Sequence, residues 1–299
     1  MRRTLTALAI LAMVGGGAAW WATAPDPLAA SELAGVTGDA GRGAVLFAAA
    51  GCASCHVAPD AEVGEAPVLA GGKRFASDFG TFIAPNVSPS PEGVGDWSDG
   101  EVINAVMRGV SPGGAHYYPA LPYNAYNKAS VQDVADIVAH LRTLPPSDAP
   151  SLAHEVGFPF SVRRALGGWK LLFVNDDWVL QGDLTPEIER GRIIVEALAH
   201  CGECHTPRNA LGGLRISEWL AGAEDPAGEG RIPNITPGGL DWSEGEIAEF
   251  LKSGFTPEFD TAGGTMAEVV RNMARLSDAD RAAIAAYLKA VPSIEDPAP

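Results

Sequence analysis

The chain has 299 residues, 46% of them apolar and 19% charged, and a formal net charge of −16. That balance excludes a nucleic-acid binder working through a basic surface, because nothing in it would neutralise phosphates; at about 150 residues per domain the length predicts two domains, each able to bury a core. Aromatic residues make up only 7% while Gly (35) and Pro (23) are abundant, which favours short helices and sharply turned loops over a sheet protein, and four cysteines are too few to staple a chain this long.

At the N-terminus Arg2 and Arg3 precede an uncharged run from Thr4 to Pro25. As a helix, its roughly 20 central residues reach about 30 Å, the thickness of a bilayer's hydrocarbon core. A cleaved signal peptide has the same basic start and apolar middle. The best small-x-small cleavage site, Ala22-Thr23-Ala24, is followed by Pro25, which opposes cutting. Trp20 and Trp21 end the run, where indole rings favour the membrane interface. Residues 1–30 therefore read as a membrane anchor, with a cleaved signal as the alternative, and Gly15, Gly16 and Gly17 weaken the helix locally. In both cases the arginines stay inside and the rest is exported.

The next feature is Cys52-Ala53-Ser54-Cys55-His56, and it returns as Cys201-Gly202-Glu203-Cys204-His205. Cys-x-x-Cys-His is the c-type haem attachment signature. Two thiols one turn apart add to the haem vinyl groups, and the adjacent histidine lies under the iron as its proximal ligand. A four-cysteine zinc site would have to join pairs from different domains, and a thioredoxin-like dithiol needs a strand–helix context that neither motif has. All four cysteines are thus assigned to two covalently bound haem c groups, and an exported chain agrees with that.

The repeat extends well past the motifs. Asn86-Val87-Ser88-Pro89 matches Asn234-Ile235-Thr236-Pro237, and Asp96-Trp97-Ser98 matches Asp241-Trp242-Ser243. Ser98 with Glu101, and Ser243 with Glu246, form capping boxes that start a helix in each half. Ser130 and Ser277 are N-caps of final helices whose apolar residues recur at helical spacing, and Pro145 and Pro292 stop them. The tryptophans are expected in the core. The predicted organisation is an anchor or signal at 1–30, a first domain at 31–146, an apolar linker at 147–185 and a second domain at 186–299. The linker contains Phe158-Pro159-Phe160 and Gly168-Trp169-Lys170; it is too apolar to be solvated and is expected to pack across the domain interface, with resting on the membrane or docking a partner as alternatives.

Haem iron in electron carriers usually takes a second axial ligand, Met or His. Counting from the glycine that ends each capped helix, the second half offers Met266 and the first half Leu121, which cannot ligate iron. Met266 is the expected distal ligand of the second haem, with Met273 as fallback. For the first, His116 in the same Gly-rich loop is the leading candidate; a five-coordinate iron is the alternative, and Met107 is expected to pack. His140, His154 and His200 are expected at the surface or behind the ligands. Met/His ligation raises the potential relative to bis-His, so the two haems should be unequal, with electrons entering at the first and leaving from the second.

With these residues in place, the chain resembles the membrane-associated cytochrome c subunits of bacterial alcohol, aldehyde and gluconate dehydrogenase complexes. The resemblance rests on the paired Pro-Asn motifs, Tyr117-Tyr118-Pro119-Ala120-Leu121-Pro122-Tyr123, His205-Thr206-Pro207-Arg208-Asn209 and Gly264-Thr265-Met266-Ala267-Glu268. It implies an all-α fold of two tandem cytochrome c-type helical domains. It departs from the family in two ways: those subunits typically carry three haems, and many have Met where this chain has Leu121. A diheme subgroup with a histidine placed like His116 supports that residue as a ligand.

The resulting expectation is an electron-transfer protein, not an enzyme in its own right, at the periplasmic face of the bacterial inner membrane. It would pass single electrons from a donor dehydrogenase to an acceptor cytochrome, oxidase or quinone system of the respiratory chain. The competing expectation is a haem enzyme, a peroxidase or sulfur-compound oxidase, with an open first haem. The acidic balance suits partners with basic docking faces.

Overall fold

A computed structural model of the protein describes residues 2–61, 64–225 and 230–296. Helix α1 runs Arg2–Ala22, continuous through the three glycines, and buries none of its residues. With 21 residues and a mean hydropathy of 1.6, it is long and apolar enough to cross a membrane. The Ala, Leu and Met residues around the glycines are strong helix formers, which carries the helix across a penalty of about 1 kcal/mol per Gly.

The first half then reads α2 (Ala30–Leu33), α3 (Ala40–Ala49), α4 (Cys52–His56), the hairpin β1 (Arg74–Ser77) and β2 (Gly80–Ile83), α5 (Asp99–Arg108), α6 (Tyr123–Tyr126) and α7 (Val131–Leu141). After α8 (Ala165–Phe173), the order repeats as α9 (Pro186–Arg192), α10 (Gly202–His205), β3 (Ala223–Glu224) with β4 (Arg231–Ile232), α11 (Glu244–Ser253), α12 (Gly264–Met273) and α13 (Asp278–Ala290). Both hairpins are antiparallel. Both capping boxes form, at Ser98–Glu101 and Ser243–Glu246, and Ser130 and Ser277 accept from the backbone N–H three residues on. Gly109 and Gly254 close α5 and α11 in the left-handed conformation, which glycine adopts without a Cβ penalty.

Each half is organised by a helix crossing with almost no space in it. A Cβ on Gly43 of α3 would lie 1.9 Å from the Asp136 carbonyl oxygen of α7, and one on Gly191 of α9 would lie 2.0 Å from that of Ala283 on α13. Only glycine lets the backbones approach this closely. Around the crossings pack Leu46, Phe47, Val134, Ile137 and Val138 in one half, and Ile194, Leu198, Ile284, Tyr287 and Leu288 in the other.

The halves differ by one inserted residue. Cys52 follows Gly43 by nine positions, whereas Cys201 follows Gly191 by ten. The second half absorbs the extra residue as a π-helical turn, Ile193–Leu198, the usual way to fit an insertion into a helix. Glu196 falls within that turn and is fully buried. Its carboxylate accepts from the Val179 and Leu180 N–H groups at 2.6 and 3.0 Å and from the Tyr287 hydroxyl at 2.8 Å. It also faces the Lys128 ammonium of the first half at 3.3 Å.

The halves pack reciprocally: α6 of the first lies on the π turn of the second, and α12 of the second lies on α3 of the first. Trp219 is buried, and Trp97 and Trp242 are half-buried against the core. The apolar linker packs only in part. Trp178, Val179 and Leu180 join the core, whereas Leu171 and Leu172 of α8 stay 64% and 69% exposed.

Candidate functional site

The two Cys-x-x-Cys-His segments sit on single helical turns entered through a left-handed residue, Gly51 at φ 62° and His200 at φ 43°. That kink separates each turn from the preceding helix and presents its cysteines outward: Cys55 and Cys204 are exposed, Cys52 and Cys201 half-buried. Burial pushes the Cys52 and Cys201 thiols up to about 12, so as free groups they would stay protonated.

The adjacent imidazoles are oriented by the Pro-Asn loops. His56 Nδ1 lies 2.9 Å from the Pro85 carbonyl oxygen, and His205 Nδ1 lies 2.8 Å from that of Pro233. A carbonyl only accepts, so Nδ1 carries the proton and Nε2 carries the lone pair. Burial holds both imidazoles below the usual histidine range, against the opposing effect of the carbonyl, which keeps them neutral and able to ligate.

The asparagine after each proline pins its loop. Asn86 Nδ2 donates to the Ser147 and Ala149 carbonyls, and Asn234 Nδ2 donates to that of Ile294. Each asparagine's Oδ1 accepts from the N–H two residues on, Ser88 or Thr236. The chain leaving the last helix of each half is thereby tied to the loop that aims the histidine. The paired Pro-Asn motifs were visible in the sequence; their purpose became visible only with the fold.

Both motif turns lie at the junction of the halves. Asn124 Nδ2 donates to Glu203 Oε1 at 2.6 Å, and Asn272 Nδ2 donates to Ser54 Oγ at 2.9 Å. Ser54 and Glu203 hold the same place in the two motifs, so each turn is held by an asparagine of the opposite half. Lys73 Nζ donates to the Ser54 carbonyl at 2.9 Å and pairs with Glu268 of the other half at 3.1 Å. His200 also bridges the halves, with Nε2 3.3 Å from the Ala50 carbonyl and its ring against Tyr126. Nothing in the repeat marked these cross-half partners, because polar residues on loops carry no periodic signal.

Met266 lies in the first turn of α12, half-buried against the core, while Met273 and Met107 are fully buried within it. Leu121 also packs on the core, in the turn before α6. His116 is buried, but its ring is engaged at the exit of α1. Its Nε2 lies 3.0 Å from the Thr23 carbonyl, close against Gly167, and its Nδ1 is buried with no hydrogen-bond partner. Its structural counterpart is Thr261, since Val110 pairs with His116 as Phe255 pairs with Thr261. His140 packs edge-on against Phe47, and His154 Nδ1 accepts from the Ile83 N–H.

These sites fit c-type haem. Each offers two thiols one turn apart and an imidazole whose Nδ1 is already committed, so that Nε2 is left to the metal. Among the described residues no three or more His, Cys, Asp or Glu side chains are grouped to hold an ion by themselves.

A sequence model of the cytochrome c family matches residues 40–145 and 188–292. The chain is 55% identical over 296 residues to the diheme cytochrome c-type protein of Cereibacter sphaeroides, a match covering 99% of this chain and 100% of that one. It is 38% identical over 270 residues to the fructose dehydrogenase cytochrome subunit of Gluconobacter japonicus, covering 84% of this chain and 52% of that subunit. It is 32% identical over 264 residues to the gluconate 2-dehydrogenase cytochrome c subunit of Pantoea cypripedii, covering 84% and 59%. The chain therefore spans a little over half the length of these dehydrogenase subunits. It belongs to the cytochrome c family, as a diheme member with two covalently bound haem c groups.

Proposed function

We propose that the protein is a membrane-anchored one-electron carrier at the periplasmic face of the inner membrane, between a dehydrogenase and the respiratory chain. The observation that carries this reading is the placement of both motif turns at the junction of the halves, each held by an asparagine of the other half. That arrangement suits passage of electrons from one site to the other inside a single chain. The similarity to dehydrogenase cytochrome subunits supports a dehydrogenase as donor. The acceptor is a cytochrome, oxidase or quinone system.

When bound, haem supplies an Fe(III)/Fe(II) couple at each site. Cys52 and Cys55 would attach the first group, and Cys201 and Cys204 the second. His56 and His205 would ligate the iron through Nε2, held in the ligating tautomer by Pro85 and Pro233. Met266 would supply a thioether to the second haem, a ligand that favours the reduced state. His116 would be the second protein ligand of the first haem, and the support for it is its buried, unpartnered Nδ1.

The reading with an open first haem, as in a peroxidase or sulfur-compound oxidase, is favoured by two observations. Leu121 stands in the register of Met266, and the Nε2 of His116 is already turned to Thr23. Low-temperature electron paramagnetic resonance with carbon monoxide titration separates the two. The carrier reading predicts two low-spin haems and no carbon monoxide uptake, and His116→Ala converts one haem to a high-spin, carbon monoxide-binding form. Near one equivalent of carbon monoxide bound by the unaltered reduced protein would establish the open site instead. If His116→Ala leaves both low-spin signals unchanged, His116 is not a ligand.

A further inference from the structure

The apolar linker keeps several large apolar side chains at the surface. Helix α8 exposes Leu171 and Leu172 by 64% and 69%, in a segment that a soluble domain would keep polar. The helix does not stand free of the anchor. Arg164, its N-terminal flanking residue, has helical dihedral angles, places its guanidinium 4.1 Å above the Trp20 ring and donates to the Trp20 carbonyl. A Cβ on Gly167 would lie 2.2 Å from the Thr23 carbonyl oxygen, and one on Gly168 would touch the Thr23 side chain. The start of α8 is therefore locked to the last turn of α1.

Helical spacing extends that contact to Leu171. Residues three, four, seven and eight apart share a helix face, so Leu171 lies on the face that carries Arg164 and Gly167, the residues meeting Trp20 and Thr23, while Leu172 stands at the edge of that face and borders a cavity that it lines with Phe173, Lys128 and Glu203. The anchor fixes where that face sits relative to lipid. From Thr4 to Ala22 the helix rises about 28 Å, close to the full hydrocarbon thickness, so Trp20 to Thr23 fall at the headgroup level, where indole rings settle. Charge agrees locally: Arg163, Arg164, Lys170 and Arg108 cluster at this exit in a chain whose net charge is −16.

We propose that α8 is a second membrane contact, an interfacial helix that lays Leu171 into the headgroup–acyl boundary of the bilayer through which α1 passes. The proposal rests on the anchor reading of α1. A short amphipathic helix with basic flanks and exposed leucines binds that boundary by apolar burial and by attraction to anionic lipid. Arg164, Gly167 and His116 already tie the first half to the last turn of α1. With α8 seated as well, the first motif is held at a fixed tilt above the membrane, as a carrier serving membrane-bound partners requires.

The test uses the full haem-loaded chain, reduced, in vesicles of phosphatidylethanolamine and phosphatidylglycerol. The native cysteines are occupied by haem, so Leu171→Cys, Leu11→Cys and Glu249→Cys each take a single nitroxide label, and haem absorbance verifies folding. Collision of each label with oxygen, which concentrates in lipid, is compared with collision with a water-soluble nickel chelate. The expected result is an oxygen-to-nickel ratio severalfold higher at positions 171 and 11 than at the exposed position 249. A water-like ratio at 171 with a lipid-like ratio at 11 overturns the α8 contact alone and leaves the face to a protein partner. Water-like ratios at both overturn the anchor reading as well.

Discussion

Glu196→Ala is expected to lower the stability of the haem-loaded protein by about 3–5 kcal/mol, the range for breaking a buried ion pair from one side. The Glu196 side chain is fully buried and that of Lys128 is only 8% exposed. Truncation leaves the Lys128 ammonium buried without its anion. It also removes the acceptor for the Val179 and Leu180 N–H groups and for the Tyr287 hydroxyl, which itself accepts from Trp219 Nε1 at 3.0 Å. One carboxylate thus joins the first half, the linker and the second half. Denaturant unfolding followed by haem absorbance should split into two transitions as the halves uncouple. Lys128→Met combined with Glu196→Gln should recover part of the loss, because both charges are gone and the amide oxygen still accepts from the donors that faced the carboxylate. A single transition with stability within about 0.5 kcal/mol of the unaltered protein would refute the bridging role.

The second large effect is expected at the helix crossing. Gly191→Ala puts a methyl group 2.0 Å from the Ala283 carbonyl oxygen, so α9 and α13 must separate and the core around Tyr287 must open. The cost is about 2–3 kcal/mol, at the upper end for overpacking. Gly245→Ala is the matched control in an exposed first turn, where the nearest atom to a new Cβ is 4.0 Å away. There, removal of glycine's backbone freedom should stabilise by roughly 0.4–1 kcal/mol. Opposite signs for the same chemical change, read as shifts in unfolding midpoint, are the expected outcome. Equal effects at both positions would mean that the close crossing is not what holds the second half together.

Much of this architecture could be read from the residues. The capping boxes at Ser98 and Ser243, the N-caps at Ser130 and Ser277 and the doubled haem motif are local signals, set by a few neighbouring side chains and backbone groups. Apolarity points the linker first to the domain interface, where Trp169 and Lys170 of α8 do meet the two halves, while Leu171 stays exposed. Hydrophobicity along a sequence records that a residue avoids water, not whether it avoids it in a core or against lipid. Glu196 was silent for a different reason. In an ordinary α-helix the charge would count against burial, and only the π turn required by one inserted residue places it in reach of Lys128. The cross-half asparagines Asn124 and Asn272 depend on how two folded halves meet, which no local pattern encodes. For the axial ligands, the repeat supplied Met266 and Leu121 by register, but it did not show that His116 faces Thr23.

A redox titration of the haem-loaded protein, followed by absorbance, tests most directly whether this is a one-electron carrier with two unequal sites. Two one-electron waves of equal amplitude are expected, with Met266→His lowering the upper wave and leaving the lower one in place, as when a thioether ligand gives way to imidazole. A single unresolved wave in the unaltered protein, or a Met266→His variant that moves only the lower wave, would contradict that expectation.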